Sequence, residues 1–395
     1  MREYTEPSNP ICLTSPRARG EVFTKLLRIP NVQLIYVSAL ACTRHRSIDF
    51  IEMQRKGRLS FLLFNEVDMI TGDYIDKTKQ AAAEIAAERN PSGIILLTGC
   101  QSALLSTDYK LLSEEIEQEI GVPVRVHDGC RLCGFDEEAG GSSAIDQMLY
   151  AFIRPSEKSA EPSVNILGST DLDESSELFS ILNAAGVRKI HRLPACKTFA
   201  DYQQMGTAHV NIITSAQDKE IGAHLEETLG IPWVCLGGIY DGAELEASYS
   251  KLARILGTEI DTSVFRSKLA AALQSAKASA GDTPITVEGD VELAKWLLSE
   301  DFRVESLRLN PHQGLSPDQR SWFEQHAPGL RVEGAKRGGP GGERGHGKPG
   351  GHGGERGRGK PGGKPQSGAE VKPGFAGSLS ALNQLIHSTG GAHHE

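Results

Sequence analysis

The sequence predicts an α/β fold of repeated doubly wound parallel-sheet domains, the last of them truncated. Three observations lead there. Up to about residue 334, short apolar runs alternate with longer amphipathic stretches, the pattern of strand–helix units. The alternation restarts after the polar stretch Ser156 to Pro162, and a shortened third round follows. A chain of 395 residues also suffices for two or three domains with full cores.

In the first block the apolar runs Val32–Ser38, Leu59–Phe64, Gly93–Thr98 and Val122–His127 read as strands. Pro16 to Leu27 reads as a helix, with Ser15 at the N-cap and Pro16 at the first helical position. Ile75–Glu88 and Tyr109–Glu119 are rich in alanine or glutamate at helical spacing. The second block repeats the design. Its strands are Val164–Gly168, Lys189–Leu193, Val210–Thr214 and Trp233–Leu236, and its helices Glu174–Ala185, Lys219–Leu229 and Glu244–Leu256. The third holds helices at Ser263–Ala278 and Val291–Ser299, with strands at Pro284–Glu288 and Arg303–Leu307.

Gly334 to Gly374 is rich in Gly, Pro, Lys, Arg and His without apolar periodicity, a composition that predicts a disordered segment. The apolar stretch Phe375–Ile386 then closes the chain, so the basic segment reads as an insertion into the third block. The expected domains are 1–157, 158–258, and 259–333 with 374–390, interrupted by 334–373.

Charge narrows the function. The chain carries 42 Lys+Arg against 51 Asp+Glu, and the basic segment holds nine of the former against three of the latter. The remainder is therefore more acidic than the total of −9 indicates, which argues against nucleic acid as a partner. No apolar run approaches the ~20 residues of a membrane span. Met1 to Pro10 is polar and charged, without an export signal's apolar centre, so a cytoplasmic protein is expected.

Seven cysteines in so long a chain do not resemble a disulfide framework. In a doubly wound sheet, functional groups gather where strands end at their carboxyl edge. Cys42 follows the first strand, Cys100 the third, and Cys130 and Cys133 the fourth. Cys12 precedes a helix that runs antiparallel to the strands and so starts on the same edge. Five cysteines on one rim suit a soft metal centre, either zinc or iron–sulfur. Only Cys130-Arg-Leu-Cys133 has the paired form common in structural zinc sites. The plainer alternative makes each a small buried hydrophobe. Cys235, inside an apolar strand, fits that alternative, whereas Cys196 follows a strand and is a candidate for facing a cavity. Arg44, His45 and Arg46 form a basic cluster beside Cys42, and Gly168-Ser-Thr is a fragment of a nucleotide loop. His393 and His394 read as a solvated terminus.

These residues resemble the component 1 family of nitrogenases and nitrogenase-like reductases. The matches are Cys12, Ala41-Cys42, Glu66-Val-Asp-Met-Ile-Thr-Gly72, Arg89-Asn-Pro-Ser, Thr98-Gly-Cys100 and Ile120-Gly-Val-Pro123. His209-Val-Asn-Ile-Ile-Thr-Ser215, Gly230-Ile-Pro-Trp233 and Gly374-Phe-Ala-Gly-Ser-Leu379 continue the series. The resemblance implies Rossmann-like domains in two homologous chains whose cysteine rims face each other across an iron–sulfur cluster. That cluster is a [4Fe–4S] or a P-cluster shared with the partner chain. By position, Cys12, Cys42 and Cys100 are the implied ligands here, and Cys130 and Cys133 remain candidates. Electrons are implied to come from an ATP-hydrolysing iron protein, and this chain has no phosphate-binding G-x-x-x-x-G-K-[ST] loop.

Two departures point to the β-type, non-catalytic half of such an oxidoreductase, inactive alone. Ser215 stands where a cofactor-holding chain has a cysteine, and the third domain is short. Substrates implied by the family are dinitrogen, the carbon–sulfur bonds of methylthio-alkanes, and tetrapyrrole double bonds. The short third domain argues against dinitrogen and favours a methylthio-alkane reductase-like enzyme. The alternatives are one half of a tetrapyrrole reductase, a scaffold for cofactor assembly without turnover, and a zinc-binding structural protein.

Overall fold

The structure, a computed structural model, describes residues 23–39, 57–99, 105–128, 141–168, 172, 174–309, 314–333 and 372–390. The chain forms two compact units. One comprises the chain through Leu236 together with Ala247–Asp261, the other Gly237–Glu246 together with Thr262 onward.

The first unit contains two parallel four-stranded sheets. In one, β1 (Val32–Ala39), β2 (Leu59–Phe64), β3 (Gly93–Thr98) and β4 (Val124–Asp128) lie in the order β2-β1-β3-β4. The pairs Tyr36↔Leu97 and Leu97↔His127 fix its register. Every residue of β3 is buried, as a central parallel strand covered on both faces requires. Alternation then sends its side chains into two cores. Ile94 and Leu96 join Ile35 and Val37 against Tyr74, Ala82, Leu112 and Ile116 of helices Asp73–Arg89 and Tyr109–Ile120. Ile95 and Leu97 join Leu34 on the opposite face, with Leu149 and Phe152.

Arg58 fastens the amino ends of these strands. Its guanidinium donates to the carbonyls of Leu27 (2.8 Å), Ile29 (2.6 Å) and Val32 (2.9 Å). Carbonyls left over where a turn meets a strand need a donor, and one planar fork meets three of them.

The second sheet runs β6-β5-β7-β8, with β5 (Ser163–Leu167), β6 (Lys189–His191), β7 (Val210–Ile213) and β8 (Trp233–Cys235). Leu167, Ile213 and Cys235 enter the same core as Leu34, Ile95 and Leu97, so the two sheets share one continuous apolar interior. Tyr202 and Met205 complete it. One register row is polar: Asn165 pairs with Asn211, and the Asn165 amide donates to Asn211 Oδ1 (2.8 Å) and the Met205 carbonyl (2.9 Å).

The second unit holds a parallel sheet of order β11-β10-β9, from β9 (Ile285–Glu288), β10 (Val304–Arg308) and β11 (Arg331–Glu333). Helices Ser263–Ala280 and Phe375–Gly390 pack together, with the rings of Phe265 and Phe375 stacked 6.3 Å apart. Ser378 Oγ donates to the Tyr240 carbonyl (2.9 Å), and Tyr240 in turn donates to Asp290 (2.5 Å). The closing segment therefore packs within this unit. Helix Pro317–His326 and strand β11 add to the third block what the sequence reading had not counted. Among the described residues, no helix is long and apolar enough to cross a membrane.

Candidate metal centre

Because β1 to β4 are parallel, Ala39, Phe64, Thr98 and Asp128 end on one edge of the first sheet. Thr98 registers with Asp128, and β1 pairs with β3 on its other side, so three strand ends are immediate neighbours. Neighbouring strands lie about 4.8 Å apart. Helices that leave this rim are firmly capped. Asn65 Oδ1 accepts from the Asp68 N–H (3.0 Å), and the Asp68 carboxylate accepts from the Asn65 N–H (3.2 Å). Lys77 also donates to Asp68 (2.6 Å), and these donors hold its carboxyl below the usual range. Tyr74 and Thr107 share a hydroxyl hydrogen bond (2.5 Å), and Asp108 accepts from the Leu111 N–H (3.0 Å).

Thr98 differs from these bonded side chains. Its side chain is buried, with 4% exposure, and Oγ1 has no hydrogen-bond partner among the described residues. A buried hydroxyl of that kind costs about 1–3 kcal/mol unless something accepts from it. Thr98 ends the strand that leads through Gly99 into Cys100. In sequence, the strand ends Ala39, Thr98 and Asp128 are each followed closely by a cysteine, a donor type that fits an iron–sulfur group. The sequence reading names Thr98 only as a strand end and within the motif Thr98-Gly-Cys100, and gives it no role of its own.

The predicted ligands Cys12, Cys42, Cys100, Cys130 and Cys133 lie outside the described residues, as do Arg44, His45 and Arg46. Among the described residues, no three His, Cys, Asp or Glu side chains converge as a metal site. The two described cysteines are thiols of different surroundings. Cys235 is buried in the shared core, as its apolar strand predicts. Cys196 is half-buried against that same core and donates to the Arg192 carbonyl (3.4 Å). Burial, with Asp201 second, pushes its thiol up to about 11, so at neutral pH it is protonated and a poor nucleophile.

The second sheet has its own crevice. Its order reverses between β5 and β7, the switch point where such sheets bind ligands. Gly168 and Thr214 face each other there. Thr214 donates through both N–H and Oγ1 to the Leu167 carbonyl (3.1 and 3.0 Å). A side chain on Gly168, at φ 148°, would run into Thr214 Oγ1. Tyr150 is buried beneath, hydrogen-bonded at the Gly168 backbone, and its phenol is held well above the usual range by burial. Ser215 follows Thr214 at half-buried depth, and its carbonyl accepts from the Asp218 N–H (3.1 Å).

The family model of nitrogenase component 1 type oxidoreductases matches residues 24–298. The B-type subunit of light-independent protochlorophyllide reductase from Cereibacter sphaeroides is 26% identical over 219 residues, covering 53% of this chain and 41% of that protein. The protein of the same name from Nostoc punctiforme is 24% identical over 194 residues, covering 44% of this chain and 37% of that protein. The chain thus spans less than half the length of these curated relatives. Nitrogenase Cp1 at pH 6.5 shares the fold with a TM-score of 0.55 at 15% identity, over 85% of this chain and 79% of that one. With its repeated parallel sheets and a family match across more than half of its length, the chain belongs to the nitrogenase component 1 type oxidoreductases.

Proposed function

We propose that this chain is the β-like subunit of a nitrogenase-like two-component reductase, holding part of an inter-subunit iron–sulfur cluster. Cys12, Cys42 and Cys100 are its share of the ligands, with Cys130 and Cys133 as further candidates. The observation that carries the reading is the adjacency of the ends of β1, β3 and β4, since the chain leaves these ends for Cys42, Cys100 and Cys130. At about 3.8 Å per residue, Cys100 is tied within two residues of Thr98 and Cys42 within three of Ala39. Such a cluster, when bound, supplies one-electron transfer, here between an ATP-hydrolysing iron protein and the partner chain's site.

The chain's own residues hold that rim in place. Capped helices and a doubly covered sheet fix the strand ends, and a share of three thiolates would leave the ligand set to be completed by a second chain. Val67 and Ile70 on helix Glu66–Thr71, and Leu111 on helix Tyr109–Ile120, are exposed apolar residues that a homologous chain would cover. Ser215 offers a hard oxygen where a catalytic cluster would need sulfur, which supports a non-catalytic role. Among substrate classes, the names of the curated relatives favour a tetrapyrrole double bond over a carbon–sulfur bond.

The test is anaerobic purification of the chain with and without its homologous partner, followed by iron analysis and assay with iron protein, ATP and reductant. Iron bound at the junction of the two chains, with tetrapyrrole reduction only when both are present, is expected. Turnover by this chain alone, or an iron-free complex, would overturn the assignment.

A further inference from the structure

We propose that His209 is an acid-opened latch, holding the connector between the two sheets of the first unit while neutral and releasing it when protonated. The connector, residues 154–162, runs from Ile153 in the shared core to β5, which begins at Ser163. His209 stands immediately before β7 and opens the motif His209-Val-Asn-Ile-Ile-Thr-Ser215, which the cluster reading leaves without a task. Its Nδ1 accepts from the Ser163 N–H (3.3 Å) and lies 3.0 Å from Ser163 Oγ. A backbone N–H can only donate, so this nitrogen carries no proton. Ser163 is fully buried, and the connector is bonded to it and to the turn before His209. Ser159 Oγ donates to Ser163 Oγ (3.1 Å), and the Ser159 N–H to the Thr207 carbonyl (3.0 Å).

Protonation reverses the roles. An imidazolium Nδ1 is a donor, and it would face the donating Ser163 N–H. Because Ser163 is buried, water reaches that N–H only when the connector bonded to it lifts. The neighbouring charges act in the same direction. Lys158 of the connector is anchored at the carbonyl of Ala208 (2.8 Å), next to His209, so a protonated ring sets two cations side by side. Of the connector's carboxylates, Glu161 pairs with Lys189 of β6 (3.5 Å), the residue in register with Ser163, and Glu157 is exposed. The same two strands meet without histidine two residues further on, where Asn165 and Asn211 join through amides that do not titrate. Burial, with Lys158 second, holds the His209 imidazole below its ordinary value, which keeps the latch closed at neutral pH.

The experiment follows hydrogen exchange in the full chain from neutral pH down to about pH 5, as protection factors corrected for the intrinsic exchange rate. The amides of Ser159 and Ser163 should lose protection as pH falls below ~6.5, by up to about tenfold per pH unit, until the ring of the closed form also protonates. Those of Gly93–Thr98 in β3 should keep theirs. His209→Asn retains an acceptor but does not titrate, so its connector should stay protected at neutral pH and lose the pH dependence. Unchanged connector protection in acid, an equal loss in β3, or a pH dependence that survives in His209→Asn would each overturn the inference. Should His209→Asn fail to fold, NMR of the unaltered protein decides. The loss at Ser159 and Ser163 should level off where the His209 ring resonance titrates, and a loss that levels off elsewhere would overturn the latch.

Discussion

The hydroxyl of Tyr202 donates to the carbonyl of Leu149 at 2.9 Å, across 53 residues of sequence and inside a fully buried pocket. The same oxygen accepts, more weakly, from the Phe152 N–H at 3.4 Å. One phenol thus joins the chain leaving the first sheet to a helix of the second, with burial holding it well above its usual titration range. Tyr202→Phe keeps the ring in the core but leaves the Leu149 carbonyl unmet. A loss of about 1–3 kcal/mol is expected, read as a lower midpoint in denaturant with an unchanged slope.

Two histidines predict an acid sensitivity. Burial, with Lys158 second for His209 and Lys189 second for His191, lowers both imidazoles below their ordinary value. His209 Nδ1 lies 3.0 Å from Ser163 Oγ and accepts from the Ser163 N–H (3.3 Å), an arrangement that needs an unprotonated nitrogen. In the unfolded chain both groups protonate near pH ~6.5. Stability from them is complete above that value and falls as pH drops toward the lowered folded values, because the unfolded state takes up protons first. Unfolding free energy measured downward from neutral pH should decline, and His209→Asn should flatten part of that decline.

Gly222 tests packing against propensity. Helix Lys219–Leu229 carries it directly over Trp233, and a Cβ there would lie 2.8 Å from the indole ring. Alanine gains about 1 kcal/mol of helix propensity, whereas overpacking a filled site costs about 1–3 kcal/mol. The ring is held by Lys251, whose ammonium lies 5.7 Å from its centroid, so it does not yield freely. Gly222→Ala should destabilise the protein despite improving the helix, and Gly222→Ala with Trp233→Leu should recover the loss. Thermal melting of the two variants checks the sign.

The proposed ligands make a sharper claim. Cys42→Ala or Cys100→Ala should each deplete iron in the purified complex and weaken its pairing with the homologous chain. Cys235→Ala, buried in the shared core, should leave iron content unchanged. Iron analysis with analytical ultracentrifugation separates the two outcomes. Full iron in both of the first variants would remove these residues from the ligand set.

Much of the fold was legible because its strands are continuous apolar runs. Leu59–Phe64, Gly93–Thr98 and the helices Lys219–Leu229 and Val291–Ser299 keep the limits read from sequence. Where limits moved, proline explains two of them. β4 starts at Val124 because Pro123 has no N–H for the ladder, and β6 stops at His191 because Pro194 turns Leu193–Ala195 into a 3-10 helix. The helices Glu66–Thr71 and Phe199–Gln203 escaped the periodicity reading because they are too brief to show a face, and Pro317–His326 because it is mostly polar and buries only Phe323. Their caps were nonetheless written in the sequence: Asn65 with Asp68, Thr198 with Asp201, and Ser316 with Gln319. The cysteine pattern was visible as strand-end spacing. Thr98 was not, because a missing hydrogen-bond partner is a property of packing rather than of residue order.

The continuous interior beneath the two sheets of the first unit has a calorimetric consequence. Leu34 and Leu97 from one sheet, and Leu167 and Ile213 from the other, lie in a single cluster with Tyr150, Phe152 and Tyr202 between them. Melting either sheet would open that cluster to water and withdraw apolar burial from its neighbour at the same moment. The two sheets should therefore absorb heat in one shared endotherm, with a van't Hoff enthalpy that counts both, although each repeats the other's strand order.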